Sequence, residues 1–350
     1  MLSRARFLFG TGLASTQFYT LGRLNFTKTG YIKHTQKYES PVQSRADVAM
    51  DDESSDGVNL EGKIIVVTGA NQGIGKELAT YCAAKQAKIY MVCRTRERAE
   101  KARDEIIKAT SNTNVHVLLA DVGELSQVKA IVDDLQSKES SIDCLVCNAG
   151  ALLSDKRLTK DGGREVTFAS HLLGSYYLTK LLTPQLKAAV DGGKEPKVIF
   201  VTSAGMYTTK FPDWKDATNT AEGQKYDGVM AYAYAKRAQV ILAEEWEKNN
   251  DGITYLTAHP GWSGTQALED WLADDQKYLQ PLRTAWEGAE GISWMIGAPK
   301  NQLQNGALYL DRKVQPKHIA GLFMTEGTIT KNSRDEINEL LANLKKECGI

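Results

Sequence analysis

Tyr232 and Lys236 stand four residues apart in the stretch AYAYAKRAQ. A tyrosine one helical turn before a lysine shares its face and can work with it as a catalytic pair. Read as a strand, the same stretch would put Tyr232, Tyr234 and Lys236 on one face, the pattern of packing residues. The continuation VILAEEWEKNN is rich in helix formers. The upstream run VIFVTSAG already supplies a strand. The helix is therefore the reading, with Tyr232 beside Lys236 and Tyr234 turned about 200° away.

A second chemical feature lies 160 residues earlier (232 − 72 = 160), in TGANQGIG, Thr68 to Gly75. It follows an apolar run, KIIVV, and precedes a helical one, KELATYCAAKQA. Glycines there let the backbone turn tightly and approach a ligand, and the first free N–H groups of the helix suit a pyrophosphate. The expected contacts are Gly69, Asn71, Gly73, Ile74 and Gly75. The spacing is not that of a P-loop. Arg94 and Arg96 follow the next strand-like run, about 20 residues past the glycines, where a dinucleotide's adenine ribose is read. No carboxylate precedes Glu97, and a guanidinium pairs with phosphate, so NADP(H) is expected over NAD(H). The same arginines also suit a solvated helix start.

Asp121 and Val122 end the third strand-like run. The carboxylate is placed to accept from an adenine amino group, or to cap the following helix. Asn148-Ala149-Gly150 ends the fourth, where small residues admit a ribose and Asn148 can bridge strand backbones.

The elements needed to position these residues are legible. From Lys63 onward, short β-branched apolar runs alternate with helical segments of 10 to 15 residues. That alternation predicts βαβ units and a parallel sheet buried on both faces. The expected architecture is one α/β, doubly wound, Rossmann-like domain over residues 61–325, with helices on both faces. A C-terminal helix is expected in 326–350, opened by the capping box of Ser333 and Glu336.

Composition narrows the classes. Lysine plus arginine (43) equals aspartate plus glutamate (43), so nothing calls for nucleic acid. No apolar run reaches the roughly 18 residues that cross a bilayer. The CxxC of Cys144 and Cys147 lies in an apolar strand-like run and reads as two buried thiols, with no metal-ligand spacing elsewhere. No GxSxG elbow supports a serine hydrolase. Residues 1–38 carry Arg4, Arg6, Arg23, Lys28, Lys33 and Lys37, with no acid before Glu39. A mitochondrial presequence, a segment lying on an anionic membrane and a plain basic tail all fit, and residues 1–60 form an expected N-terminal segment plus linker.

In this order, TGxxxGxG, the strand-end Asp121, NAG, Ser203, YxxxK and the Pro260-Gly261 pair resemble the short-chain dehydrogenase/reductase family over roughly residues 60–320. The gap of 29 residues between Ser203 and Tyr232 (232 − 203 = 29) resembles the retinol-dehydrogenase-like branch. FTKTGY, YDGVMAY, HPGW and YLDRKVQPKHI carry a closer likeness within it. The resemblance implies hydride transfer between NADP(H) and a hydroxyl/carbonyl pair on a small, apolar substrate. It implies Tyr232 as general acid, Lys236 lowering the phenol's pKa from about 10 and bonding the nicotinamide ribose, and Ser203 holding the substrate oxygen. Thr265, after Pro260, would fix the carboxamide. One position departs: the family's usual Asn is His171 here, able to hold a water, carry a proton or fill space. That departure leaves open a cofactor-binding sensor or scaffold with little catalysis.

Overall fold

The computed structural model describes residues 22–38, 57–150, 152–264, 279–320 and 325–350. Eight strands form one sheet: β1 (Ile64–Thr68), β2 (Lys88–Cys93), β3 (Val115–Leu119), β4 (Cys144–Cys147), β5 (Lys197–Val201), β6 (Thr254–Ala258), β7 (Leu308–Leu310) and β8 (Lys313–Gln315). The order is β3-β2-β1-β4-β5-β6-β7-β8, parallel except for β8, which returns as a hairpin on β7. The chain reverses direction across the sheet between β1 and β4, the place where doubly wound sheets open a crevice at their carboxyl ends. Two short strands, β9 (Ile319–Ala320) and β10 (Thr325–Glu326), pair separately.

The helices are α1 (Lys28–Thr35), α2 (Gly73–Ala84), α3 (Arg96–Thr110), α4 (Leu125–Lys138), α5, α6 (Gly228–Glu247), α7 (Ala285–Gly297) and α8 (Arg334–Cys348). Helix α5 is composite: an α-turn at Val166–Phe168, a π-helical turn at Ala169–Leu173, then Gly174–Asp191. Strand alternation sends Val66 and Leu145 to a core shared with α4, α5, α6 and α8. It sends Ile65, Val67 and Val146 to a core shared with α2, α3 and α7. Cys144 and Cys147 fall on opposite faces of β4, where burial pushes each thiol up to about 12. They sit in the cores as packing residues.

The C-terminal helix begins at the expected box, with Ser333 and Glu336 capping each other's backbone. It does not stand apart: Leu340, Leu344 and Cys348 join the core under α5 and α6, and Arg164 bonds Glu347 at 3.0 Å. The basic N-terminal segment is likewise docked over residues 22–38. Phe26 is 2% exposed within an apolar cluster that includes Met206 and Leu310. Arg23, Leu24, Ile32, Lys33 and Lys37 line its outer face. Among the described residues no helix is long and apolar enough to cross a membrane.

Candidate active site

The glycine turn forms where β1 meets α2. Gly69 and Gly73 take φ of +67° and +53°, the left-handed region that favours glycine. At Gly75 a Cβ would lie 2.3 Å from the Gly69 carbonyl oxygen, so the helix can start this close to the turn only without a side chain. Gln72, the residue before α2, makes no side-chain capping bond, which leaves the first turn's amides directed at the crevice. Asn71 and Ile74 lie in this turn; the Ala70 and Asn71 amides face the Cys93 sulfur closely enough to favour its thiolate, and Ile74 packs on the core.

Asn148 does what its position suggested. Its Nδ2 donates to the Thr68 carbonyl at 2.9 Å, while the Thr68 hydroxyl accepts from the Asn148 and Ala149 amides at 2.9 Å each. These bonds lock the end of β4 to the end of β1. Asp121 accepts from the Gly123 N–H at 3.0 Å, and its other oxygen lies 3.9 Å from Arg94. Arg94 is exposed beside it, while Arg96 pairs with Glu100 within α3. Helix α4 is capped from elsewhere, by Asp161 accepting from Ser126. Val122 is buried, and its carbonyl oxygen fits against Gly174, where a Cβ would approach to 1.8 Å.

Tyr232 and Lys236 lie on α6, as the spacing predicts. The helix is started by Asp227, which accepts from the Val229 and Met230 amides at 3.0 and 3.1 Å. Gly228 is obligatory for this entry, since a Cβ would meet the Leu153 oxygen at 1.8 Å. Tyr226 then ties the two helix starts: its hydroxyl donates to Glu165, the N-cap of α5, at 3.1 Å. This fixes α6 against α5 and so sets Tyr232 against His171. The rings meet edge to face, 5.1 Å between centres and at 88°. His171 is buried and fills the space a Cβ on Gly150 would need, 1.8 Å from its ring. The π-turn frees its carbonyl, which accepts from Gln239 at 2.8 Å.

Ser203, at the end of the β5 segment, lies close enough to Tyr232 for its hydroxyl to favour the phenolate, and it accepts from the Gly205 amide at 3.3 Å. Lys236 Nζ donates to the Val201 carbonyl at 2.7 Å and lies 5.3 Å from the centre of the Tyr232 ring. Burial pushes Lys236 down to about 7 and pushes Tyr232 up, with only the Ser203 bond opposing. Burial thus acts on the phenol against the lowering that Lys236 was expected to supply. The reason is physical: one dry environment disfavours both charged forms, cation and phenolate alike.

Pro260 and Gly261 turn the chain beyond β6; Gly261 has φ of +73°, and its N–H donates to His259 Nδ1 at 3.2 Å. Thr265 lies outside the described residues. The sequence reading missed Glu165, Tyr226 and Gln239. The one local hint was Asp-Gly ahead of a helical run, a cap signal for Asp227.

Residues 63–211 match the family model described as short chain dehydrogenase. Dehydrogenase/reductase SDR family member 12 of Bos taurus is 33% identical over 308 residues, covering 87% of this chain and 90% of that protein. The chain belongs to the short-chain dehydrogenase/reductase family, a family of oxidoreductases. Its place there is the retinol-dehydrogenase-like branch: retinol dehydrogenase 12 of Homo sapiens is 32% identical over 242 residues, 67% of this chain and 72% of that protein. The fold also matches a solved L-sorbose reductase from Gluconobacter frateurii, at a TM-score of 0.55 and 19% identity, covering 79% of this chain and 99% of that one.

Proposed function

We propose that the chain is an NADP(H)-dependent reductase or dehydrogenase acting on a hydroxyl/carbonyl pair of an apolar substrate. The observation that carries this is the meeting of Ser203 with Tyr232, brought from 29 positions apart (232 − 203 = 29) onto one side of the crevice, with Lys236 one turn on. A nicotinamide cofactor supplies the hydride. The glycine turn and the uncapped start of α2 fit its pyrophosphate, and the Asn148 corner fits a ribose. Exposed Arg94 supports a 2′-phosphate, since a guanidinium pairs with it bidentately and no carboxylate of that strand end repels it. Ser203 holds the substrate oxygen, and Tyr232, protonated at neutral pH, gives it a proton. Relatives bearing the name retinol dehydrogenase support an apolar substrate.

The test is a panel of ketones, aldehydes and alcohols followed by NADPH absorbance and repeated with NADH. Turnover with NADPH preferred is expected, and Arg94→Asp should weaken that preference by on the order of tenfold. A clear NADH preference in the parent would remove Arg94 from the cofactor site. Binding of NADPH with no turnover across the panel would favour the sensor or scaffold.

Lys236 gives a pH prediction. Above about pH 7 its amine is increasingly neutral in the ligand-free chain. An anionic dinucleotide favours the charged form. Binding at pH 8 should therefore take up protons, and affinity should fall as pH rises from 7. Calorimetry in two buffers of different ionisation heat reads the uptake; Lys236→Met should abolish it. Equal heats in both buffers for the parent would refute the assignment.

A further inference from the structure

We propose that residues 23–28 are a built-in clamp on the neck of the substrate side, positioning the Pro260–Gly264 turn beside Ser203 and Tyr232. The functional role rests on the reading given above; the clamp itself rests on geometry. The neck has two stems, residues 262–264 and 280–283. They pair directly: Gly264 N–H donates to the Arg283 carbonyl at 2.7 Å, and Arg283 N–H donates to the Trp262 carbonyl at 2.9 Å.

The N-terminal segment crosses both stems. The Phe26 carbonyl accepts from the Trp262 amide at 2.7 Å, and the Lys28 amide donates to the Pro281 carbonyl at 3.0 Å. Arg23 donates to the Gln280 carbonyl at 2.9 Å. The Arg283 guanidinium, fully buried, donates to the carbonyls of Phe26 at 2.8 Å and Asn25 at 2.9 Å. Its two terminal nitrogens also hold Asp311, which His34 reaches at 2.7 Å from the docked segment. A tail lying passively on a surface would not place its carbonyls on a buried guanidinium, because buried donors there need these acceptors to stay satisfied.

The clamp reaches the site along two routes. The Phe26 ring packs against His259 at 4.7 Å and Trp262 at 5.7 Å, bracketing the turn on both sides. The same ring shares an apolar cluster with Ala204, which directly follows Ser203, and with Met206. Arg283 meanwhile occupies the space beside Gly261, where a Cβ would come within 2.2 Å of its Nε. Residues 23–28 thus set the position of a turn more than 230 residues away in sequence (260 − 28 = 232), and a cut in the linker would leave them held by noncovalent contacts.

The experiment places a protease site within residues 41–56 of the full chain and nicks it. The N-terminal fragment should stay with the domain on gel filtration. Phe26→Ala should release it and speed amide exchange in 259–264 and 280–284. For a carbonyl turned over by the parent, kcat/KM should fall by on the order of tenfold or more through misplacement. Phe26→Leu should restore most of both. Release of the wild-type fragment with no change in exchange or turnover would overturn the clamp. Faster exchange with kcat/KM intact would overturn the positioning role. If no form turns over any carbonyl, exchange at the neck still decides the clamp, and the failure falls on the functional reading alone.

Discussion

Tyr232→Phe should reduce turnover by about two to four powers of ten while leaving NADPH binding intact. The substitution removes one oxygen from a ring whose position is set by other groups: His171 packs on its face, and α6 is held by the Asp227 cap and the Tyr226–Glu165 bond. The fold should therefore not register the change. The cofactor side of the crevice, at the glycine turn and Asn148, does not involve the phenol. Steady-state rates with fluorescence titration of NADPH separate the two effects. Wild-type turnover in the variant would mean that the proton comes from elsewhere, and the buried His171 would be the first group to examine.

The largest stability effect is expected at Arg283. Its guanidinium and Asp311 form a buried ion pair at 0% and 4% side-chain exposure, and removing Arg283 takes away the carboxylate's bidentate partner and leaves His34 beside it. Arg283→Met should cost about 3–5 kcal/mol in urea unfolding, the range for breaking such pairs. Hydrogen bonds from His34 and Arg283 outweigh burial and hold the Asp311 carboxyl below the usual range, and the variant removes the Arg283 share of that support. Asp311 has φ of +50°, a conformation asparagine tolerates. Arg283→Met with Asp311→Asn should therefore recover part of the loss. Equal losses in the single and double variants would show that shape and the bonds to residues 25–26, rather than the charge, carry the effect.

What was legible in the sequence is what neighbouring residues encode. Strand–helix alternation revealed the doubly wound sheet, since each strand is buried on both faces and carries its own apolar run. The Tyr232–Lys236 face, the Gly69–Gly75 turn and the Ser333 box are all set by spacings of three to six residues. Arg283 meeting Phe26 joins positions 257 apart, and no local pattern announces it. The same holds for Tyr226 on Glu165, which joins the starts of two helices, and for Gln239 on His171, which joins the helices themselves. The basic composition of residues 1–38 pointed to targeting or a surface, because charge reports what faces solvent. It was silent on Phe26 and on the backbone carbonyls that dock. The burial that opposes Lys236 at Tyr232 was hidden for a related reason: spacing places a cation near a phenol, but only packing says whether water is there to support the charge.

The π-turn at Ala169–Leu173 holds one more residue than an α-helix needs, with the Gly174 amide bonding back to the Ala169 carbonyl. Deleting any one of the five residues would let the helix rewind, rotating everything upstream by about 100° and drawing it in by about 1.5 Å. Glu165 would swing away from Tyr226, and the start of α6 would lose its tie. Codon swaps here alter one side chain, whereas an in-frame loss of three nucleotides would re-index the whole approach to the site. All five side chains are buried, so residue changes here should cost packing, but a change of length should cost more because it moves everything upstream.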